Sequence, residues 1–218
     1  MNTGVETRAR LSGGTSAPAI YRMVVAALDG RHHDGGTLLD VGCGAGNLWP
    51  WIHTRFQRYL GADAVKYPGL PTATEFVYGD LERGVPLPDA VAEVVVAVET
   101  IEHLDNPRAF VRELVRLTKP GGWVVITTPN QLSLLSLLTL IVKKRFSAFQ
   151  DADYPAHRTA LLEVDLRRIL TECGLTEVAV RYTQEGRVPL TAYHYPRALS
   201  RLLPRALSDN VLLVGHRV

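Results

Sequence analysis

The stretch VETIEHLDNP, residues 98–107, places Glu99, Glu102 and His103 within five positions of one another, directly after an apolar run. These residue types at this spacing offer three chemistries. The first is local: acids near the helix start at Asn106–Pro107 favour its dipole, while His103 fills a gap or bonds a carbonyl. In the second, His103 is a general base with Glu102 beside it, since an imidazole of ordinary pKa about 6.5 suits proton transfer near neutrality. The third is a divalent metal on Glu99, Glu102, His103 and one residue from elsewhere, which would acidify a hydroxyl. Such a mixed set suits Mn²⁺, Fe²⁺, Co²⁺ or Zn²⁺, and Mg²⁺ less readily. His157, in YPAHRTALLEVDL (154–166), is available as the fourth ligand. All three readings stand at this point.

A second constellation lies upstream. LLDVGCGAGNL (38–48) reads as a strand that ends in a glycine-rich turn and then a helix. Gly42, Gly44 and Gly46 let the backbone turn tightly and approach a ligand with no Cβ in the way. The following helix start offers amides and a positive dipole end to an anionic group. Asp63 closes the next strand, where an acid can take a pair of ribose hydroxyls, and Asp80 follows the third, where it can accept from an exocyclic amine. The turn is G-x-G-x-G preceded by Asp40, not the G-x-G-x-x-G of nicotinamide-binding turns. A short-chain dehydrogenase would also need a Tyr-x-x-x-Lys pair on a helix, and the chain has none.

The elements that must position these residues alternate along the chain. Helical spacing marks 17–30, 47–58, 106–118 and 160–173, and apolar strand patterns mark 37–42, 58–63, 74–80, 92–99, 123–129, 175–182 and 210–218. The unbroken apolar run AEVVVAVE suits a strand covered on both faces. The segment 81–91 is too rich in Pro and Gly for a helix. This alternation predicts a doubly wound α/β sheet, in which ligands sit at the carboxyl ends of the strands near the switch in strand order. A length of 218 residues favours one domain, and a net charge of +2 gives no basic field for DNA. No basic-aromatic cluster marks an RNA surface. Cys43 and Cys173 lie far apart and read as packing residues of a reducing, cytoplasmic compartment. Residues 1–16 read as a polar mobile arm without a secretory h-region, ahead of one domain over 17–218.

Together LLDVGCGAG, the acid of GAD, the GD of VYGDLE and the late KPGGWVVITTPN resemble a class I S-adenosylmethionine-dependent methyltransferase, over about residues 35–183. The resemblance implies a single-domain, Rossmann-like seven-stranded sheet with helices on both faces and an antiparallel last strand. It implies S-adenosylmethionine as cofactor, with Gly42, Gly44 and Gly46 behind its methionine part and Asp40 among the cofactor-binding residues. Asp63 would hold the ribose, Asp80 and Leu81 would flank the adenine, and Glu99 would close the cofactor site. Glu93 departs from the family's usual Asp and should face solvent or a turn. E-x-x-E-H with a later His is similar to the ubiquinone-biosynthesis O-methyltransferases. It is also similar to the small-RNA 3′-terminal 2′-O-methyltransferases, where such a set binds metal beside a vicinal diol. The expected function is O-methylation of a small natural-product, quinone-like or sugar acceptor, by a monomer or homodimer. Metal-dependent methylation of a vicinal diol, catechol or RNA 3′-end, C- or N-methylation, and a non-catalytic cofactor-binding domain remain the alternatives.

After TTPN comes an insertion, 131–156, expected to act as a lid after the fifth strand. Its apolar run 132–142 is shorter than the roughly 20 residues that span a bilayer. It reads either as a lid packed on its own body or as an apolar wall for a hydrophobic acceptor, and with Lys143, Lys144 and Arg145 as a peripheral membrane contact over 132–145. Arg197, Arg201 and Arg205 form a stripe that is solvated or takes an anionic acceptor.

Overall fold

The computed structural model describes residues 3–32 and 34–218. Seven strands form one sheet in the order β3-β2-β1-β4-β5-β7-β6: β1 Thr37–Val41, β2 Arg58–Asp63, β3 Thr74–Tyr78, β4 Ala92–Ala97, β5 Thr118–Pro129, β6 Leu175–Tyr182 and β7 Asn210–Arg217. The first five run parallel, and β7 inserts antiparallel between β5 and β6. Alternation along the central strands feeds two cores. Leu38, Val94 and Val96 pack on the side of helix α2 (Pro18–Leu28). Leu39, Val41, Val95 and Ala97 pack on the side of α4 (Pro107–Leu117) and α6 (Glu163–Glu172). Both faces are therefore covered at the centre, which is why these strands read as continuous apolar runs. Full burial of one such leucine or valine contributes about 1.5–3 kcal/mol.

Helix α4 starts where the sequence stops a strand-like approach: Pro107 takes the first turn and the Asn106 side chain accepts the Ala109 N–H at 3.0 Å. Such a cap is worth about 1 kcal/mol. The segment 81–91 carries turns and no helix. It is stapled to α4 by Arg116, whose guanidinium donates to the Val85 and Leu87 carbonyls at 3.1 and 2.9 Å. Glu93 is a tie rather than a free surface acid, accepting from the Thr37 amide at 2.7 Å and pairing with Lys119.

Two local expectations are corrected. The helix predicted over 47–58 is only α3 (Trp49–Ile52) followed by a 3₁₀ turn, His53–Arg55, because chain must be left for Arg55 to tie the 25–34 region and for β2 to start. Of the arm expected over 1–16, residues 1 and 2 lie outside the described residues, and 3–16 pack on the domain rather than standing free. Helix α1 (Thr3–Leu11) and residues 12–17 lie along the carboxyl edge of the sheet, where the Gly14 carbonyl accepts the Ala45 N–H at 3.0 Å. The 131–156 insertion contains α5 (Leu134–Lys143), and α7 (Arg197–Leu202) lies before β7. Among the described residues no helix is long and apolar enough to cross a membrane.

Candidate active site

The carboxyl ends of β1, β2, β3 and β4 meet along one edge, and the strand order reverses between β1 and β4. At this switch point lies a cavity of about 500 Å³, lined by Gly42, Gly44, Asp63, Asp80, Glu99, Glu102, His103 and His157 among others. Most residues singled out from the sequence thus reach one space.

On the β1–β3 side the glycine turn is shaped by close backbone approach. Gly42 has φ +80°, and a Cβ there would lie 2.3 Å from Thr100 Oγ1. Gly44 has φ +52°, and its Cβ would lie 2.3 Å from the Gly14 carbonyl oxygen, so residues 12–17 can close over the turn only on a bare Cα. Gly46 is different: it lines no part of the cavity and lies under Leu70 and Pro71, a turn residue rather than a ligand residue. Asp63 is turned back onto the turn itself, accepting the Gly44 N–H at 2.9 Å and the Val65 N–H at 3.1 Å. Burial pushes its carboxyl up, and these amides pull it back.

Asp40, the penultimate residue of β1, is wholly enclosed. Asp40 lines the cavity; its Oδ2 accepts the Tyr59 hydroxyl at 2.7 Å, while its Oδ1 is buried without a partner among the described residues. Desolvation lifts the carboxyl to about 7, with the nearby Asp63 charge adding to it and the Tyr59 hydrogen bond opposing it. An orphaned buried acceptor in a ligand cavity asks for a donor from the ligand. Asp80 and Leu81 line the same end, with Asp80 Oδ1 accepting the Glu82 N–H at 3.2 Å.

On the β4–β5 side, Glu102 sits on the 3₁₀ turn Ile101–His103 and is fully buried. Its Oε2 accepts the Thr128 hydroxyl at 3.1 Å, and its Oε1 has no partner among the described residues. Burial raises this acid to about 8. Its backbone carbonyl accepts the Arg158 and Thr159 amides at 2.9 and 3.0 Å, which draws the end of the insertion onto the turn. That tether brings His157 against His103, ring centroids 4.9 Å apart. His103 Nδ1 faces the Ala156 carbonyl at 2.9 Å, and His157 Nδ1 faces the Ala148 carbonyl. A carbonyl only accepts, so in the neutral rings both Nδ1 atoms carry the proton, and the His103 ring has the Glu99 backbone as a further hydrogen-bond partner. Burial depresses both imidazoles, which keeps them neutral at pH 7. Potential ligand atoms of Glu102, His103 and His157 all lie within 4.8 Å of one another.

Glu99 does not join them. It holds φ +49° at the end of β4, and its carboxylate is taken by the Thr127 hydroxyl at 2.8 Å and the Asn210 amide at 2.7 Å. Of the four residues expected from the sequence to converge, Glu102, His103 and His157 do and Glu99 does not, because it is committed to β5 and β7. Glu99 still lines the cavity, and burial beside Glu102 pushes its carboxyl well up. Arg197, Arg201 and Arg205 line no part of the cavity, and Arg197 pairs with Glu185 at 2.8 Å. Sequence reasoning missed Thr127, Thr128 and Asn210, although the TTPN string had marked the end of β5. It also missed residues 12–17, whose small side chains carry no chemical signal.

The family model described as a methyltransferase domain matches residues 17–180. A malonyl-[acyl-carrier protein] O-methyltransferase of Serratia marcescens is 29% identical over 178 residues, 78% of this chain and 62% of that protein. A ubiquinone biosynthesis O-methyltransferase of Chromobacterium violaceum is 34% identical over 120 residues, 49% of this chain and 50% of that protein. The chain spans roughly half to two thirds of the length of the curated relatives it matches. A crystal structure of a SAM-dependent methyltransferase from Archaeoglobus fulgidus superposes with a TM-score of 0.61 at 18% identity, covering 90% of this chain and 94% of that one.

Proposed function

The chain belongs to the S-adenosylmethionine-dependent methyltransferase family, and from that premise we propose that it transfers a methyl group to a hydroxyl oxygen of a small-molecule acceptor held at Glu102, His103 and His157. The observation that carries the acceptor side is the buried Oε1 of Glu102, without a partner among the described residues, beside two imidazoles whose Nδ1 atoms face carbonyls and whose ligand atoms lie within 4.8 Å of it and of one another.

The donor side fits S-adenosylmethionine. Asp40 Oδ1 is an orphaned acceptor for a donor of the ligand, Asp63 stands where ribose hydroxyls would reach it, and Asp80 with Leu81 bounds the adenine end. When bound, the cofactor supplies a sulfonium methyl, an electrophile needing no activation from the protein. The chain's work is then to align the acceptor oxygen with that methyl and to remove the hydroxyl proton. His103 Nε2 is the atom that takes the proton, with Nδ1–H fixed on Ala156 so that the ring cannot turn away.

Glu102, His103 and His157 also fit a divalent cation. Their ligand atoms converge, and both histidines have the Nδ1–H to carbonyl arrangement that orients a ligating imidazole. A cation there would supply Lewis acidity to the acceptor hydroxyl. Chelator-treated protein saturated with S-adenosylhomocysteine is expected to unfold several degrees higher when Mn²⁺ is added at about 100 times its Kd, which corresponds to about 2.7 kcal/mol. His157→Ala is expected to abolish the rise. No rise in the parent protein would sink the metal reading and leave His103 as a metal-free base.

The insertion favours peripheral contact with a membrane. Leu134, Leu137, Leu138, Ile141 and Val142 share one stripe of α5 and are all exposed, ending at Lys143, Lys144 and Arg145. Vesicles containing phosphatidylglycerol are expected to co-sediment the protein, and the double change Ile141→Glu, Val142→Glu to reduce this at least fivefold with S-adenosylhomocysteine affinity intact. Equal sedimentation of both proteins would refute the contact.

A further inference from the structure

Resting on the reading that the cavity holds a methyl donor over β1–β3 and an acceptor over β4–β5, we propose that Arg187 and His194 form a subsite for an anionic group, phosphate or carboxylate, on the acceptor. The acceptor would then carry two features: a hydroxyl at Glu102, His103 and His157, and an anion further along the cavity.

Both residues line the cavity. They lie opposite each other on an antiparallel bridge between β6 and α7, flanked by the bonds Val188 N–H to Tyr193 O at 2.8 Å and Tyr195 N–H to Gly186 O at 2.9 Å. Directly opposed residues in such a bridge put their side chains on the same face, within about 5 Å at Cβ. The hairpin is held at its base. Asp209 N–H donates to the Glu185 carbonyl at 3.1 Å, and Gly186 packs so closely that a Cβ would lie 2.6 Å from the Leu207 carbonyl.

Arg187 is pre-set within this frame. Asp209 accepts its backbone N–H at 3.2 Å and its Nε–H at 2.9 Å, so the carboxylate grips one edge of the guanidinium. The Nη edge has no other partner among the described residues, and the side chain is half exposed at the cavity mouth. A guanidinium with a fixed plane and two free Nη groups suits a planar carboxylate or a phosphate face, and His194 adds a ring N–H. The neighbouring arginines are engaged elsewhere: Arg22 and Arg197 both sit on Glu185.

Topology separates this subsite from the donor's own carboxylate. The glycine turn follows β1, whereas Asp209 directly precedes β7, three strand places away in the sheet. At about 4.8 Å per strand that is about 14 Å. The reactive cluster after β4 lies between the two, so an anion at Arg187 belongs to the molecule being methylated.

The test is calorimetric titration of S-adenosylhomocysteine-saturated protein with inorganic phosphate and, separately, with acetate. The expected result is binding of at least one anion, weakened about tenfold or more by Arg187→Gln, with S-adenosylhomocysteine affinity within twofold of the parent. Whichever anion depends on Arg187 names the group. Arg187→Lys, which keeps the charge and loses the fork, is expected to recover part of the affinity, and thermal unfolding of both variants checks the fold. Binding of neither anion, or equal binding in Arg187→Gln, overturns the proposal. So does a parallel loss of S-adenosylhomocysteine affinity, which would assign Arg187 to the donor. Failure of the parent protein to bind S-adenosylhomocysteine would instead strike the reading of the cavity as a donor site.

Discussion

The Glu102→Gln variant is expected to lose about two to four orders of magnitude in methyl transfer while binding S-adenosylhomocysteine within about threefold of the parent protein. Glu102 is wholly buried, with Thr128 on one oxygen and, among the described residues, no partner on the other. Glutamine fills the same volume and can keep the Thr128 hydrogen bond, so packing is preserved. What it cannot do is exchange a proton with the acceptor, or give one up to ligate a cation beside His103 and His157. Removing a buried ionisable acid also lifts a desolvation cost, so the variant should unfold no earlier than the parent. Loss of activity with undiminished stability is the signature of a residue in the chemistry, and a local helix-start role predicts neither. Labelled-methyl transfer to a panel of catechols, diols and lipid extracts provides the activity, and calorimetry the cofactor affinity. If Glu102→Gln keeps more than half of the parent activity, Glu102 has no part in the reaction.

Asp40→Asn is expected to stabilise the ligand-free protein and weaken the cofactor together. Asp40 keeps its proton in the folded protein up to about pH 7, and releases it near 3.8 when exposed. Between those values the folded state binds more protons than the unfolded one, so stability falls as pH rises through roughly 4 to 7 and levels off above. Asparagine carries no such burden. The difference in Tm between variant and parent should therefore be small at pH 4, grow up to pH 7 and then stay constant. Raising the carboxyl from 3.8 to about 7 sets a ceiling of about 4 kcal/mol on the gain. About 1–3 kcal/mol, several degrees in Tm, is expected once the protein relaxes around the charge. The same change removes the anionic character of the orphaned Oδ1 in the cavity wall, and S-adenosylhomocysteine affinity at pH 8 should drop about tenfold or more. Parallel Tm profiles for the two proteins across pH 4–8.5 would refute the assignment of the burial cost to Asp40.

The two variants bear on opposite ends of the cavity, and their cofactor responses should differ: Asp40→Asn loses affinity and Glu102→Gln does not. Both acids are raised by burial, Asp40 to about 7 and Glu102 to about 8. Both also keep one oxygen unpartnered in the cavity wall. Folding carries that cost so that ligands can meet acceptors already in place, the usual relation between a binding cleft and perturbed acids.

Strand–helix alternation, the glycine turn after β1 and the acids at the ends of β2 and β3 were legible in the residues alone. The reason is that each is a local rule: periodicity selects the element, a positive φ selects glycine, and a strand end selects the position of its last side chain. The central pair β1 and β4 was legible for the same cause, since burial on both faces fills them mostly with apolar residues, Thr37, Asp40 and Glu93 excepted. Glu102 and His103 were visible as a pair because they are adjacent. His157 was picked out as their companion by its type and its place after β5, but the contact itself depends on the Glu102 carbonyl binding the Arg158 and Thr159 amides across more than fifty residues, which no spacing displays. Spacing along the chain put Glu99 in the ligand set with Glu102 and His103. Only the packed structure shows its carboxylate given to Thr127 and Asn210, which β5 and β7 bring together from opposite directions. Gly46 was indistinguishable from Gly42 and Gly44 as a letter, yet it faces Pro71 rather than the cavity. Residues 12–17 were mute because a carbonyl oxygen, which every residue owns, makes their contact with the glycine turn. Side-chain chemistry and local backbone preference are written residue by residue, whereas which oxygen is left without a partner is decided by everything else that folds around it.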